Sequence, residues 1–268
     1  WQTMGEFLAE MDRHKIGLNF GTLVGLNTIR RSIVSDKQKI AKIKMLLQSS
    51  LDQGAFGLST NFGLNDLEFF PDQEMVDIFK VLQPRDAVAK HHLEDEGQNI
   101  LPAVSRLIGA ARSSKTRMHI SHFKSLGRSS WNYFSKALEM VETARKEGVK
   151  ITYDFFPYTK TGSSLFTALP PWFRKYSPEE ANLILSSAGD KRRQELKDYL
   201  KKMTLHYDKI IIASAASGFG ITGKTIRQIA DESGRDGEEV ILNLLEANDL
   251  RVSIFNEVIS EFNLELIA

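Results

Sequence analysis

The chain has 268 residues, 42% hydrophobic and 26% charged, which is an ordinary globular composition and excludes a disordered or collagen-like polymer. Lys and Arg total 35 against 34 Asp and Glu, a formal charge of +1, so no long-range field favours nucleic acid or an anionic membrane. Cysteine is absent, which removes disulfides, thiolate metal sites and a thiol nucleophile and fits a reducing, cytoplasmic setting.

In chain order, Thr3 and Glu6 form a capping box ahead of Phe7, Leu8 and Met11, so a helix is expected almost at once. No stretch approaches 18 consecutive apolar residues, and the start has neither a basic region nor an apolar one of the kind a secretion signal needs. Beginning and ending abruptly, the chain reads as a piece cut from something longer. Apolar runs of strand length are expected at 16–24, 55–60, 87–92, 117–122, 149–155, 209–213 and 252–258. Between them lie helical patterns. Residues 36–53 place Ile40, Ile43, Leu47 and Leu51 on one face and stop at Gly54; Val104, Leu107, Ile108 and Ala111 repeat the spacing; Phe134, Ala137, Val141 and Ala144 repeat it again before Gly148. Strand followed by helix, repeated this often, predicts an α/β fold with a parallel sheet, either doubly wound or a (β/α)8 barrel of the TIM type. The expectation is a single barrel domain over 1–268. In either architecture the chemistry belongs at the C-terminal strand ends.

Two expected strands finish in histidine, at His92 and at His122. One such histidine is more often a hydrogen-bonded structural residue. Two on successive parallel strands, whose axes lie about 5 Å apart, can converge on one metal ion. His14 and His206 sit in charged segments and read as surface residues. Each of His91 and His119 competes with its neighbour for the strand end, and alternation sends one of each pair elsewhere. Lys124 lies at the mouth of the loop after His122, placed for an anionic substrate group, with a solvated lysine as the plain alternative. Residues 159–164 read as a polar glycine-containing loop with spare hydroxyls.

The segments Gly54-Ala55-Phe56-Gly57-Leu58-Ser59-Thr60, His92-Leu93-Glu94-Asp95-Glu96-Gly97, Ile120-Ser121-His122-Phe123-Lys124 and Asp154-Phe155-Phe156-Pro157-Tyr158-Thr159 together resemble the D-aminoacylase, or N-acyl-D-amino-acid deacylase, family of the amidohydrolase superfamily. The resemblance implies a zinc-dependent hydrolase that cleaves the amide of a small N-acyl-D-amino acid on a (β/α)8 barrel. It implies His92 and His122 as metal ligands. It also implies Lys124 and Tyr158 as catalytic and substrate-contacting groups, with Ser164 beside them on the substrate's carboxylate and carbonyl. The first and last barrel strands and a small β-sandwich, which such proteins carry, are expected to lie outside this chain. The pattern departs from the family at several places. There is no His-x-His pair and no cysteine ligand, no strand supplies the expected proton-handling aspartate, and Glu94 stands where arginine is usual.

Two other readings fit the sequence. A barrel piece lacking some ligands can serve as a catalytically inactive scaffold. Residues 218–225, Gly-Phe-Gly-Ile-Thr-Gly-Lys-Thr, satisfy the spacing of a phosphate-binding loop, although little chain follows to complete a nucleotide site. Oligomeric state leaves no signal in the sequence.

Overall fold

The computed structural model describes residues 1–33, 39–61, 72–203, 205–217 and 220–268. They form two compact units, 1–157 with 265–268, and 158–264. Among them, no helix is long and apolar enough to cross a membrane.

The first unit begins with α1 (Met4–Arg13), whose N-terminus is closed by the Thr3–Glu6 capping box. The expected strand at 16–24 shrinks to β1 (Val24–Gly25); Ile16, Leu18 and Phe20 are exposed, so their apolar spacing had no sheet face to fill. There follow α2 (Leu26–Ser32), α3 (Lys39–Asp52), β2 (Gly57–Asn61), α4 (Asp72–Phe79), β3 (Val88–His92), α5 (Ile100–Ser114), β4 (Arg117–Ile120), α6 (Phe134–Lys146) and β5 (Ile151–Tyr153). The first residues of the helix expected over 36–53 lie outside the described residues. All five strands are parallel and lie in sequence order, β1 to β5. Successive strand–helix units adding one strand at a time to the same edge are the construction of an α/β barrel, here an incomplete one.

Strand alternation divides this sheet into two chemically different faces. Ala89 and His91 on β3, Met118 and Ile120 on β4 and Ile151 on β5 are buried against Leu47, Phe79, Val104, Leu107, Ala137 and Val141 of the covering helices. The opposite face is polar. Register aligns Ser59, Lys90, His119 and Thr152 across four neighbouring strands. Gly57 lets β2 lie this close to β3, because a Cβ there would stand 2.0 Å from the carbonyl oxygen of Val88.

The second unit holds β6 (Lys160–Ser164), α7 (Pro178–Ser186), α8 (Lys191–Lys202), β7 (Ile210–Ala215), α9 (Ile226–Ser233), α10 (Gly237–Ala247) and β8 (Val252–Glu257); α11 (Glu261–Ile267) begins in this unit and ends in the first. Residues 160–164 are therefore a strand rather than the expected loop. They pair antiparallel with β8, which pairs antiparallel with β7 on its other side. The two strands expected late in the chain thus build a separate antiparallel sheet. Leu196, Ile212, Ile226, Ile241 and Ile254 are among the residues of its own apolar core.

Candidate functional site

The C-terminal ends of β3 and β4 bring two imidazoles together. His92 is the last residue of β3, on the polar face that also carries Lys90. β4 ends at Ile120, and continued extended alternation would turn His122 to the buried face that Ile120 occupies. Instead His122 has φ of 39°, a left-handed conformation unusual for a residue with a side chain. Around it Ser121 N donates to His91 O at 2.9 Å and Phe123 N donates to Asp154 O at 2.7 Å. The Phe123 ring is buried against Phe134 and Tyr153, with centroids 5.1 and 5.6 Å away. With the turn held in this way, His92 Nδ1 and His122 Nε2 stand 2.9 Å apart.

Glu96, in the loop after β3, completes a three-residue group whose potential ligand atoms all lie within 4.8 Å of one another. Its Oε1 is 2.9 Å from His122 Nδ1, and both of its oxygens accept from Lys124 Nζ at 2.7 Å. Lys124 Nζ also lies 2.8 Å from His122 Nδ1. Where His122 Nδ1 carries the proton it donates to Glu96, and the lone pair of Nε2 then faces His92, while Lys124, which can only donate, spends its protons on the two Glu96 oxygens and on His122 O at 3.2 Å. Lys124 is accordingly buried on Glu96, with the Phe156 ring 5.8 Å from its nitrogen, rather than standing solvated at a loop mouth.

Burial is the dominant influence on the charges here. It pushes the His92 imidazole down to about 4, against the raising effect of Glu96, so the ring is neutral near neutral pH. Burial also works against ionised Glu96, but the His122 hydrogen bond and the charge of Lys124 outweigh it and hold the carboxyl below its usual range. Lys124 is lowered by burial, with Glu96 opposing. His91, on the helix-covered face, is pushed down to about 3 by burial and is 2.5 Å from Thr60 Oγ1.

His119 lies beside this group without joining it. Its Nδ1 is 2.8 Å from Thr152 Oγ1 and its Nε2 is 2.9 Å from Asp154 Oδ2. Asp154 Oδ2 also accepts from Lys90 Nζ at 2.8 Å, and Asp154 Oδ1 accepts from the His122 backbone N. Burial opposes ionisation of Asp154, yet the hydrogen bonds from Lys90, His119 and His122 drive its carboxyl far below the usual range. Glu94 is paired with Arg106. Arg106, from α5, bonds it at 2.5 Å and reaches Asp72 at 2.5 Å as well. Burial raises the Glu94 carboxyl while Arg106 opposes the rise.

Within the second unit, Tyr158 is exposed, and Ser164 at the end of β6 accepts from Phe166 N at 3.3 Å. Of the phosphate-loop pattern, positions 218 and 219 lie outside the described residues. Lys224 Nζ bonds Glu232 at 2.6 and 2.9 Å, and Thr225 caps α9 through Gln228.

Glu96 and Asp154 are the polar groups that sequence reasoning left without a role. Both had a signal. Glu96 follows the strand-end histidine His92 by four residues, and Asp154 is the acidic residue in the apolar run 149–155.

A parallel sheet of consecutive strand–helix units, with histidines and a carboxylate clustered at its C-terminal strand ends, defines an α/β-barrel-type protein with a potential metal centre. No family model matches the sequence. The chain is similar to the D-aminoacylase family over about 60% of its length. It is 27% identical over 170 residues to the N-acyl-D-aspartate deacylase of Alcaligenes xylosoxydans xylosoxydans, covering 61% of this chain and 34% of that protein. It is 24% identical over 168 residues to the N-acyl-D-glutamate deacylase of the same organism, covering 60% and 34%.

Among solved structures, N-acyl-D-glutamate deacylase from Bordetella bronchiseptica, complexed with zinc and a phosphonate inhibitor, superimposes with a TM-score of 0.74 at 20% identity, covering 100% of this chain and 49% of that one. A D-aminoacylase structure gives 0.69 at 18% identity, with the same coverage. These likenesses show the fold. The chain spans about a third of the length of the curated relatives and about half that of the solved chains.

Proposed function

We propose that this chain is the central barrel part of a metal-dependent hydrolase that cleaves the amide bond of N-acyl-D-amino acids. One observation carries the reading: His92 Nδ1 and His122 Nε2 lie 2.9 Å apart at the ends of adjacent parallel strands, with a buried carboxylate on the far nitrogen of His122. Two imidazoles suit zinc in donor chemistry, and a carboxylate on the far nitrogen of one of them is the arrangement that orients a metal-binding ring. The similarity to deacylases, one of them solved with zinc, supports the choice of metal and reaction.

Bound there, zinc would polarise the acyl carbonyl and bring the attacking water's pKa towards about 7. His92 and His122 would hold the ion. Glu96 fixes the His122 tautomer and carries the charge of Lys124. The Lys124 ammonium meets the substrate's carboxylate or carbonyl, and the role we assign to Tyr158 and Ser164 is contact with the substrate.

The test is metal analysis after dialysis, paired with His122→Ala. About one zinc per chain, lost together with N-acyl-D-amino-acid hydrolysis in the variant, is the expected result. A folded protein that retains no zinc would favour an inactive scaffold instead, and unchanged zinc binding by His122→Ala would reassign that residue to structure.

A further inference from the structure

Asp154 follows directly on β5, and every polar atom it offers is spent on the two preceding strands and the turn that carries His122. Its backbone N donates to Ile120 O at 3.0 Å and its backbone O accepts from Phe123 N at 2.7 Å, so the main chain brackets the turn on both sides. The side chain fills the gap between those bonds. Oδ1 takes the N–H of His122, the residue with φ of 39°. Oδ2 takes Lys90 Nζ at 2.8 Å and faces His119 Nε2 at 2.9 Å.

These contacts reach the elements that present both histidines of the site. Lys90 is two residues before His92 on β3, and His119 is three before His122 on β4. A left-handed backbone at a residue with a side chain persists only where its surroundings hold it. A charged acceptor on the N–H is a stronger hold than a neutral one. Lys90 and His119, in turn, fix the direction of the carboxylate, so it cannot rotate away from the turn.

Resting on the metal-site reading above, we propose that Asp154 is a positioning residue: it fixes the left-handed turn that aims the His122 imidazole at His92. The carboxylate touches neither imidazole of the pair; it acts through the backbone of His122 and through β3 and β4. Lys90 and His119 are its supports.

The experiment uses the whole chain with Asp154→Ala and Asp154→Asn. Zinc affinity is measured by competition with a chromophoric chelator, and the His122 amide is followed by hydrogen exchange in zinc-free protein. Asp154→Ala should weaken zinc about 10- to 100-fold, the range seen when an outer carboxylate is removed from a metal site. Its His122 amide should exchange at least about tenfold faster, while the amides of Ala89 and Met118 keep their rates, since a freed N–H reports local opening. Asparagine keeps an oxygen for that N–H and should recover part of both effects. It also guards against a poorly folded alanine variant. In a His122→Ala background, Asp154→Ala should weaken zinc no further.

Wild-type zinc affinity or wild-type amide protection in both Asp154 variants would overturn the positioning role. So would additive losses in the double variant. Failure of the wild-type protein to bind zinc would sink the metal reading alone, because amide exchange still decides whether Asp154 holds the turn.

Discussion

The Lys124 ammonium donates to both carboxylate oxygens of Glu96 at 2.7 Å, and each of the two side chains is only 7% exposed. A pair buried to this depth is costly to break from one side, because the survivor keeps its charge without its partner. Glu96→Leu should therefore destabilise the protein by about 3–5 kcal/mol, and Lys124→Met by a comparable amount. The double variant Glu96→Leu/Lys124→Met should recover most of the loss. Urea unfolding of the three variants checks this, and single variants within about 0.5 kcal/mol of wild type would mean that water reaches the pair.

Gly57 sets how close β3 comes to β2. With the Val88 carbonyl oxygen 2.0 Å from where a Cβ would be, Gly57→Ala cannot be absorbed by a side-chain rotation, since the obstacle is backbone. The strands must part. A loss of about 1–3 kcal/mol is expected, the usual range for overpacking. Thermal unfolding measures it, and an unchanged melting temperature would show that the sheet opens at no cost.

Much of this arrangement was legible in the sequence, and the parts that were not have specific causes. β3 and β4 could be read because each is an apolar run of strand length that ends in histidine, whereas the polar face shared by Lys90 and His92 is set by the strand's orientation in the sheet. The turn at His122 could not. Left-handed backbone is usually announced by glycine, and here histidine adopts it because Asp154, Phe123 and two main-chain bonds hold it there. β6 escaped notice for a different reason. Residues 160–164 have no apolar alternation, being largely exposed, and their strand exists only because β8 lies beside them to accept the ladder. The parallel or antiparallel sense of the late strands is likewise a tertiary fact, which periodicity does not encode.

In the second unit, Arg193 bridges α8 and α10. Its guanidinium bonds the Glu239 carboxylate at 2.6 and 3.2 Å, with further bonds to Leu185 O and Asn243 Oδ1 at 2.9 Å. The bonds from Arg193, chiefly, with Lys197 also beside the carboxylate, hold Glu239 down to about 2 from an ordinary 4.5. An unfolded chain takes up this proton earlier as the pH falls. The stabilisation from the pair is thus fully present above about pH 4.5 and is lost as the pH falls towards 2. Glu239→Gln should flatten the acid limb of the stability curve, by less than about 1.4 kcal/mol per pH unit, and leave its shape near neutrality unchanged. Urea midpoints at several pH values follow the change, and an acid limb as steep as that of the wild type would assign the slope to other carboxyls.

Lys124 also has a part in substrate recognition in the proposed reaction. Its ammonium has three donors, which meet both Glu96 oxygens at 2.7 Å and His122 O at 3.2 Å, so an incoming carboxylate shares the charge by replacing the longest of these bonds, the one to His122 O, and leaves Glu96 in place. Such a bond is charge-assisted and contributes roughly 1.5–3 kcal/mol, or about ten- to a hundredfold in kcat/KM. Lys124→Ala should cause that loss for N-acyl-D-amino acids and a much smaller one for matched amides that lack the carboxylate. Because Glu96 draws on the same charge, Glu96→Gln should act in the opposite sense, leaving Lys124 a stronger anchor and lowering KM for the acidic substrate relative to the neutral one. The comparison needs both substrates on both variants, since a general loss of folding would depress them together. Equal losses on acidic and neutral amides in Lys124→Ala would remove Lys124 from carboxylate recognition and leave it as the counter-charge of Glu96.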